Sequence, residues 1–204
     1  MAACILLVAG RFFMDARVSH SVPSKESRNT GAPHVNPDSS GRHPPAWPPG
    51  PHECGVDPAW IDYNGHLRDG YFAVIASASI DALMDDLGID ESYRRATHCT
   101  LYTLELHLRF LREIKGGERL RIDWYPAEFD AKRLRLLLAM RPAGTGEIAA
   151  VVDVMLIHVR QDATVRSAPF PPAVQQRIAD WHALGVPGEV LELGSRPLTL
   201  RRPP

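Results

Sequence analysis

The spacing of apolar residues changes character once along the chain. From Phe72 to Leu87, residues Phe72, Ile75, Ala76, Ser79, Ile80, Leu83 and Leu87 recur at helical intervals. That spacing predicts one long helix. Two members of the stripe, Ala76 and Ser79, are small, so a sheet can approach the middle of the helix closely. Gly88 follows as a C-cap, and Asp90–Thr97 predicts a second, short helix. After His98 the period drops to two. In the first strand Tyr102, Leu104, Leu106, Leu108 and Phe110 alternate with Leu101, Thr103, Glu105, His107 and Arg109. Lys115–Glu118 predicts a hairpin turn, and RLRIDWYPAEF the next strand, with Pro126 marking an edge or a bulge. RLRLLLAMR is a further strand, carrying Leu134, Leu136, Leu138 and Met140 on one face. IAAVVDVMLIHV is apolar almost throughout, as expected of a strand covered on both sides. A short extended segment, HECGV, precedes the helix, and Pro171–Leu184 predicts a terminal amphipathic helix.

The expected fold class is therefore α+β: an antiparallel sheet, its last four strands a meander, wrapped around one long helix. The second face of the sheet is expected to carry Leu137, Ala139, Ala150, Val152 and Val154. A face that apolar needs a cover, which predicts a homodimer or a dimer of dimers. Three regions follow: a disordered extension over 1–51, the folded domain over 52–185 and a loose tail over 186–204. The extension is rich in Ser, Pro, Gly, Asn and His, with no apolar period, so it cannot offset its ordering entropy. Its His20, His34 and His43 are expected to be solvated residues of a flexible tail and not metal ligands.

Composition narrows the function. The 204 residues are 45% hydrophobic with a net charge of -1, which gives no basic field for nucleic acid or an anionic membrane. Cys4, Cys54 and Cys99 are too few and too far apart for a zinc knot or a disulfide framework, so a reducing compartment is expected. Ala2–Gly10 is too short to span a bilayer and lacks the basic start of a signal peptide, and the expected location is the cytoplasm.

The chemistry concentrates just before the long helix, in Asp62-Tyr63-Asn64-Gly65-His66. A carboxylate, an amide and an imidazole delivered to a helix N-terminus suit attack at a carbonyl, because first-turn amides have no intrahelical acceptor. Asp62, Asn64 and His66 are the candidate catalytic residues. Asp69 and Gly70 begin the helix, and Gly70 permits close approach of a substrate. Each polar residue has a plainer role open to it: Asp62 and Asn64 as Asx-turn residues, His66 as a satisfied turn histidine. Thr103, Glu105 and His107 are further candidates, on one face of a central strand. Arg119, Arg121, Arg133 and Arg135 are candidates for phosphate contacts or, equally simply, an exposed face. Tyr63, Tyr71, Phe72 and Trp124 offer ring faces to a quaternary ammonium, or simply core.

The order of elements resembles the hotdog fold over about residues 52–160. The Asp62–His66 turn is similar to the active-site turn of 4-hydroxybenzoyl-CoA-type acyl-CoA and acyl-ACP thioesterases. LYTLELHLRFLRE, Asp130–Leu134 and Ser167–Pro171 look like the thioesterases of carnitine breakdown that act on betainyl-CoA. The resemblance implies an acyl-CoA thioesterase that needs no cofactor and no metal, with Asp62 as general base or nucleophile and amides near Arg68–Gly70 polarising the carbonyl. It implies Asp69, Gly70, Tyr63, Thr103, Glu105 and His107 at the substrate. Two departures stand out: Leu67-Arg68 follows the histidine where relatives carry Met-Asn, and the long stretch before residue 52 has no counterpart in a typical member. A hotdog hydratase or dehydratase and a non-catalytic acyl-CoA-binding module are the alternatives.

Overall fold

A computed structural model describes residues 47–194. The expectations for residues 1–46 and 195–204 lie outside the described residues. The elements are β1 (His52–Gly55), α1 (Asp69–Leu87), α2 (Glu91–Thr97), β2 (Cys99–Phe110), β3 (Arg119–Phe129), β4 (Arg133–Pro142), β5 (Ala150–Gln161), β6 (Val165–Ser167), α3 (Pro172–His182) and α4 (Gly188–Leu193). A single 3-10 turn, Pro58–Trp60, precedes α1. The sheet is antiparallel in the order β1-β3-β4-β5-β2, with β6 also paired to β5. Helix α1 lies on one face of it, and the α+β hotdog architecture is as expected.

The predicted helix stripe is the buried one. Phe72, Ile75, Ala76, Ser79, Ile80, Leu83 and Leu87 all face the core, joined by Met84. Gly88 ends α1 in the left-handed region at φ 83°. Rows of paired residues cross the sheet beneath the helix. One runs Trp124, Leu138, Val152, Leu108; the next runs Ile122, Met140, Ala150, Phe110. The small stripe lets Trp124 reach α1, where its Nε1 donates to Ser79 Oγ at 3.2 Å, and Ser79 Oγ donates to Ala76 O.

The structure corrects several expectations. The last four strands are not a simple meander: β2 leaves its neighbour in sequence and pairs with β5, so Lys115–Glu118 links strands that do not pair. It makes β2 an edge strand, not a central one. A bulge between Thr103 and Glu105 also switches its alternation. Thr103, opposite Leu156, faces the helix side; Glu105 and His107, opposite Met155 and Asp153, face away. Tyr102 accordingly parts from Leu106, Leu108 and Phe110. The second bulge falls between Pro126 and Glu128, as Pro126 suggested.

The outer face of the sheet is also different. Ala150, Val152 and Val154 pack in the helix-side core. The outer face carries Leu137 and Ala139, and the chain covers them itself: Val190 of α4 is fully buried against both, with Val186 alongside. Residues 186–194 are therefore not a loose tail. Glu189 of α4 is held by Arg141 at 3.0 Å, and the Arg135–Asp153 pair, at 2.8 Å, lies under Gly194. Order also begins before His52, since Trp47 packs edge-on to Trp181 at 5.6 Å.

One buried histidine ties the sheet to the helices. His158 is almost fully buried, between Tyr93 Oη at 2.9 Å from Nε2 and Ala168 O at 3.0 Å from Nδ1. Burial lowers its pKa below the usual 6.5. The folded state therefore refuses a proton that the unfolded chain accepts, and stability falls as pH drops below about 6.5. Urea melts of His158→Gln between pH 5 and 8 should show a flatter pH dependence than the parent. Ser79→Ala leaves the Trp124 indole donor buried without an acceptor, and should lower unfolding free energy by about 1–3 kcal/mol in urea.

Candidate active site

The chain reaches α1 through a tightly bonded turn. Asp62 N–H donates to His66 O at 2.8 Å, and Gly65 N–H donates to Asp62 O at 3.1 Å. Gly65 sits at φ 85°, a conformation costly for other residues. Asp62 Oδ1 accepts from the main-chain N–H of Asn64 at 2.8 Å and of His66 at 3.0 Å. Leu67 N–H donates to Ile114 O at 2.7 Å, and His66 bridges to Lys115. The turn is thus clipped to the segment that follows β2. Trp60 stacks on Tyr71 at 5.3 Å, closing the other side.

These contacts favour the ionised form of Asp62. The His66 amide above all, and then that of Asn64, stabilises the carboxylate and holds its pKa below the ordinary 3.8. Asp62 is ionised at neutral pH. His66 orients it through its main chain, because its ring is engaged elsewhere: Nε2 lies 3.0 Å from Glu113 Oε2.

Helix α1 opens without a side-chain cap from its N-cap residue, Arg68. Asp69 takes that part in its own way, its Oδ1 accepting from Gly70 N–H at 2.8 Å. A carbonyl oxygen that uses the Gly70 amide must displace this contact. An acidic residue in the first turn also suits the helix dipole.

Beside this helix end lies a cleft of about 310 Å³, lined by His66, Leu67, Asp69, Phe72, Phe110, Leu111, Arg112 and Glu113. The Phe72 and Phe110 rings meet edge to face at 5.0 Å. Arg112 is turned to Glu147 at 3.2 Å.

The structure brings together Asp62, Asn64 and His66 in one turn, with Asp69 and Gly70 a few residues on. Of these, His66 and Asp69 line the cleft; Asp62 does not. Tyr63 stands out at the apex, 95% exposed. Glu105 and His107 approach each other at 3.5 Å on the outer face of the sheet, away from the helix side. Thr103 is separated from them by the bulge. The candidate phosphate-binding arginines are all paired within the chain: Arg119 with Glu53, Arg121 with Asp123, Arg133 with Asp130, and Arg135 with Asp153 and Glu128. Tyr71 and Trp124 are committed to Trp60 and Ser79. Phe72 alone of the four aromatic candidates reaches the cleft. Sequence reasoning missed Phe110 and Glu113 as site residues, although both fall in the LYTLELHLRFLRE stretch that carries the resemblance. Among the described residues no group of three His, Cys, Asp or Glu side chains is placed to hold a metal ion, and no helix is long and apolar enough to cross a membrane.

Residues 56–178 match the model of the Thioesterase-like superfamily. A betainyl-CoA thioesterase of Pseudomonas aeruginosa is 42% identical over 140 residues, which cover 67% of this chain and 87% of that protein. An L-carnitine dehydrogenase/betainyl-CoA thioesterase of Agrobacterium fabrum is 38% identical over 62% of this chain, but the chain spans only 26% of that longer protein. Among solved structures, a Staphylococcus aureus protein in complex with CoA superposes with a TM-score of 0.65 at 27% identity, covering 73% of this chain and 94% of the other. The fold, the turn before α1 and a family match over more than half of the sequence lead to one conclusion: the chain belongs to the thioesterase-like superfamily.

Proposed function

We propose that the protein hydrolyses an acyl-CoA thioester to free acid and CoA, with betainyl-CoA as the substrate and betaine as the acid. The observation that carries this reading is an ionised carboxylate, Asp62, fixed by main-chain amides immediately before the amino end of the long helix. The similarity to a betainyl-CoA thioesterase supports the choice of acyl group.

Hydrolysis requires an oxygen nucleophile at the thioester carbon, stabilisation of the oxyanion that forms, and departure of the CoA thiolate. Asp62 starts ionised on either of two routes. It accepts a proton from water as the water oxygen bonds to the carbonyl carbon, or its own oxygen forms that bond and water later cleaves the anhydride. The amino end of α1 favours the negative charge on the carbonyl oxygen. Asn64, whose side chain also stabilises the Asp62 charge, orients the carboxylate.

The site is completed, on this reading, by a second copy. Strand β2 is a sheet edge, and Leu104, Leu106 and Phe110 on it are 47%, 37% and 50% exposed. An edge with free main-chain groups and apolar side chains is a pairing surface. We take the protein to be a homodimer joined along β2, with Thr103, Glu105 and His107 beside the partner's site, and place it in the cytoplasm, where the free thiols of Cys54 and Cys99 persist.

A second reading, a non-catalytic acyl-CoA binder, is favoured by one observation: Asp62 serves the turn as an Asx cap and lies outside the cleft. One variant separates the two. Asp62→Asn keeps an oxygen for both turn amides, so its melting temperature should stay within a few degrees of the parent. Release of CoA thiol from betainyl-CoA should fall by about 100-fold or more. Unchanged turnover removes Asp62 from the chemistry, and a parent that binds acyl-CoA without turnover establishes the binder. Leu106→Glu on the β2 edge should convert the two-chain mass seen by light scattering to that of one chain, with loss of turnover.

A further inference from the structure

Resting on the hydrolase reading, we propose that the cleft at the start of α1 is a subsite for a fixed positive charge on the acyl group. Phe110 and Glu113 are its specificity-determining residues.

The lining of the cleft divides into two kinds of group. Phe72, Phe110, Leu67 and Leu111 supply an apolar wall, and Asp69 and Glu113 supply carboxylates. Phe72 is buried and Phe110 is half exposed, so the edge-to-face contact between them leaves ring surface of Phe110 open. The row Ile122, Met140, Ala150, Phe110 across the sheet fixes where that ring stands. Glu113 is steadied by His66 Nε2 at 3.0 Å. The cationic Arg112 of the lining is directed to Glu147.

A quaternary ammonium has no N–H to donate. It is recognised by the negative faces of aromatic rings and by nearby carboxylates, not by a fork of donors and acceptors. The cleft offers that pair of features within about 310 Å³, room for a compact acyl group. A neutral acyl group in the same place would face Glu113 and Asp69 without supplying a counter-charge. The cleft thus discriminates by charge at constant shape.

The test compares betainyl-CoA with 3,3-dimethylbutyryl-CoA, the neutral isostere in which carbon replaces the quaternary nitrogen. The parent should prefer the cationic ester in kcat/KM by about tenfold or more. Glu113→Gln and, separately, Phe110→Leu should each reduce that ratio by about tenfold, chiefly through KM of the cationic ester. A ratio unchanged in both variants, or equal loss on both esters, overturns the subsite. A parent that cleaves the neutral ester as well as the cationic one also overturns it, while hydrolysis itself stands. Failure of the parent on both esters instead overturns the hydrolase reading.

Discussion

The burial of one face of α1 in the sheet governs where the chemistry can be. Leu83, Ala76, Ile75 and Phe72 are all buried, so neither the axial position nor the rotation of the helix is free. The Trp124–Ser79 hydrogen bond adds a polar register mark in the middle of that interface. With the helix fixed, its first turn has one place, at the end of the Ile122–Phe110 row, where Phe72 meets Phe110. The Asp62 turn is then held from the other side by Leu67 and His66 on the segment after β2. Core packing and a clipped turn together set the Asp62 turn immediately before the start of α1, with the cleft beside that helix end.

The parts of this arrangement that were legible in the sequence are those that depend on local periodicity. The α1 stripe was readable because a helix buried on one side repeats its apolar positions, and Gly88 because the left-handed cap favours glycine. The Asp62–His66 turn was readable because its residues bond to one another. What was not legible depends on tertiary choices. The pairing of β2 with β5 leaves no mark in β2 itself. The bulge at Leu104 swaps faces without changing the alternation of the letters. Strand β5 is apolar on both faces, so Ala150, Val152 and Val154 could be assigned to either one, and Asp153, the residue that marks the outer side, is buried against Arg135. The six residues of α4 sit among Gly and Pro, and their one buried anchor, Val190, gives no period to detect. The His66–Glu113 contact joins residues far apart in sequence.

The cover that α4 gives the sheet bears on assembly. Leu137 and Ala139 would otherwise form an apolar outer face of the kind that invites another sheet. Val190 and Val186 cover this patch from within the chain, and the Arg141–Glu189 pair holds the helix at its first turn. Association through the Leu137–Ala139 patch would have to displace that helix. The exposed edge of β2 faces no such obstacle, which is why the proposed dimer is drawn there and not back to back.

The lowered proton affinity of Asp62 shapes the proposed chemistry in turn. The amides of His66 and Asn64 stabilise the carboxylate, and the same stabilisation makes it a weaker base than an ordinary aspartate. A site that relied mainly on proton abstraction would be served better by a carboxylate with a raised pKa. Asp62 is instead charged at neutral pH and held by two main-chain amides, so in the proposed reaction more of the rate comes from orientation and from stabilising the oxyanion. That shifts the demand to the amino end of α1, where the Gly70 amide is at present bonded to Asp69. A substrate that draws Asp69 toward a cationic acyl group would release this amide to the carbonyl. On that reasoning Asp69 links the cleft to the helix amide, while Glu113 and Phe110 act on the binding of the cation alone.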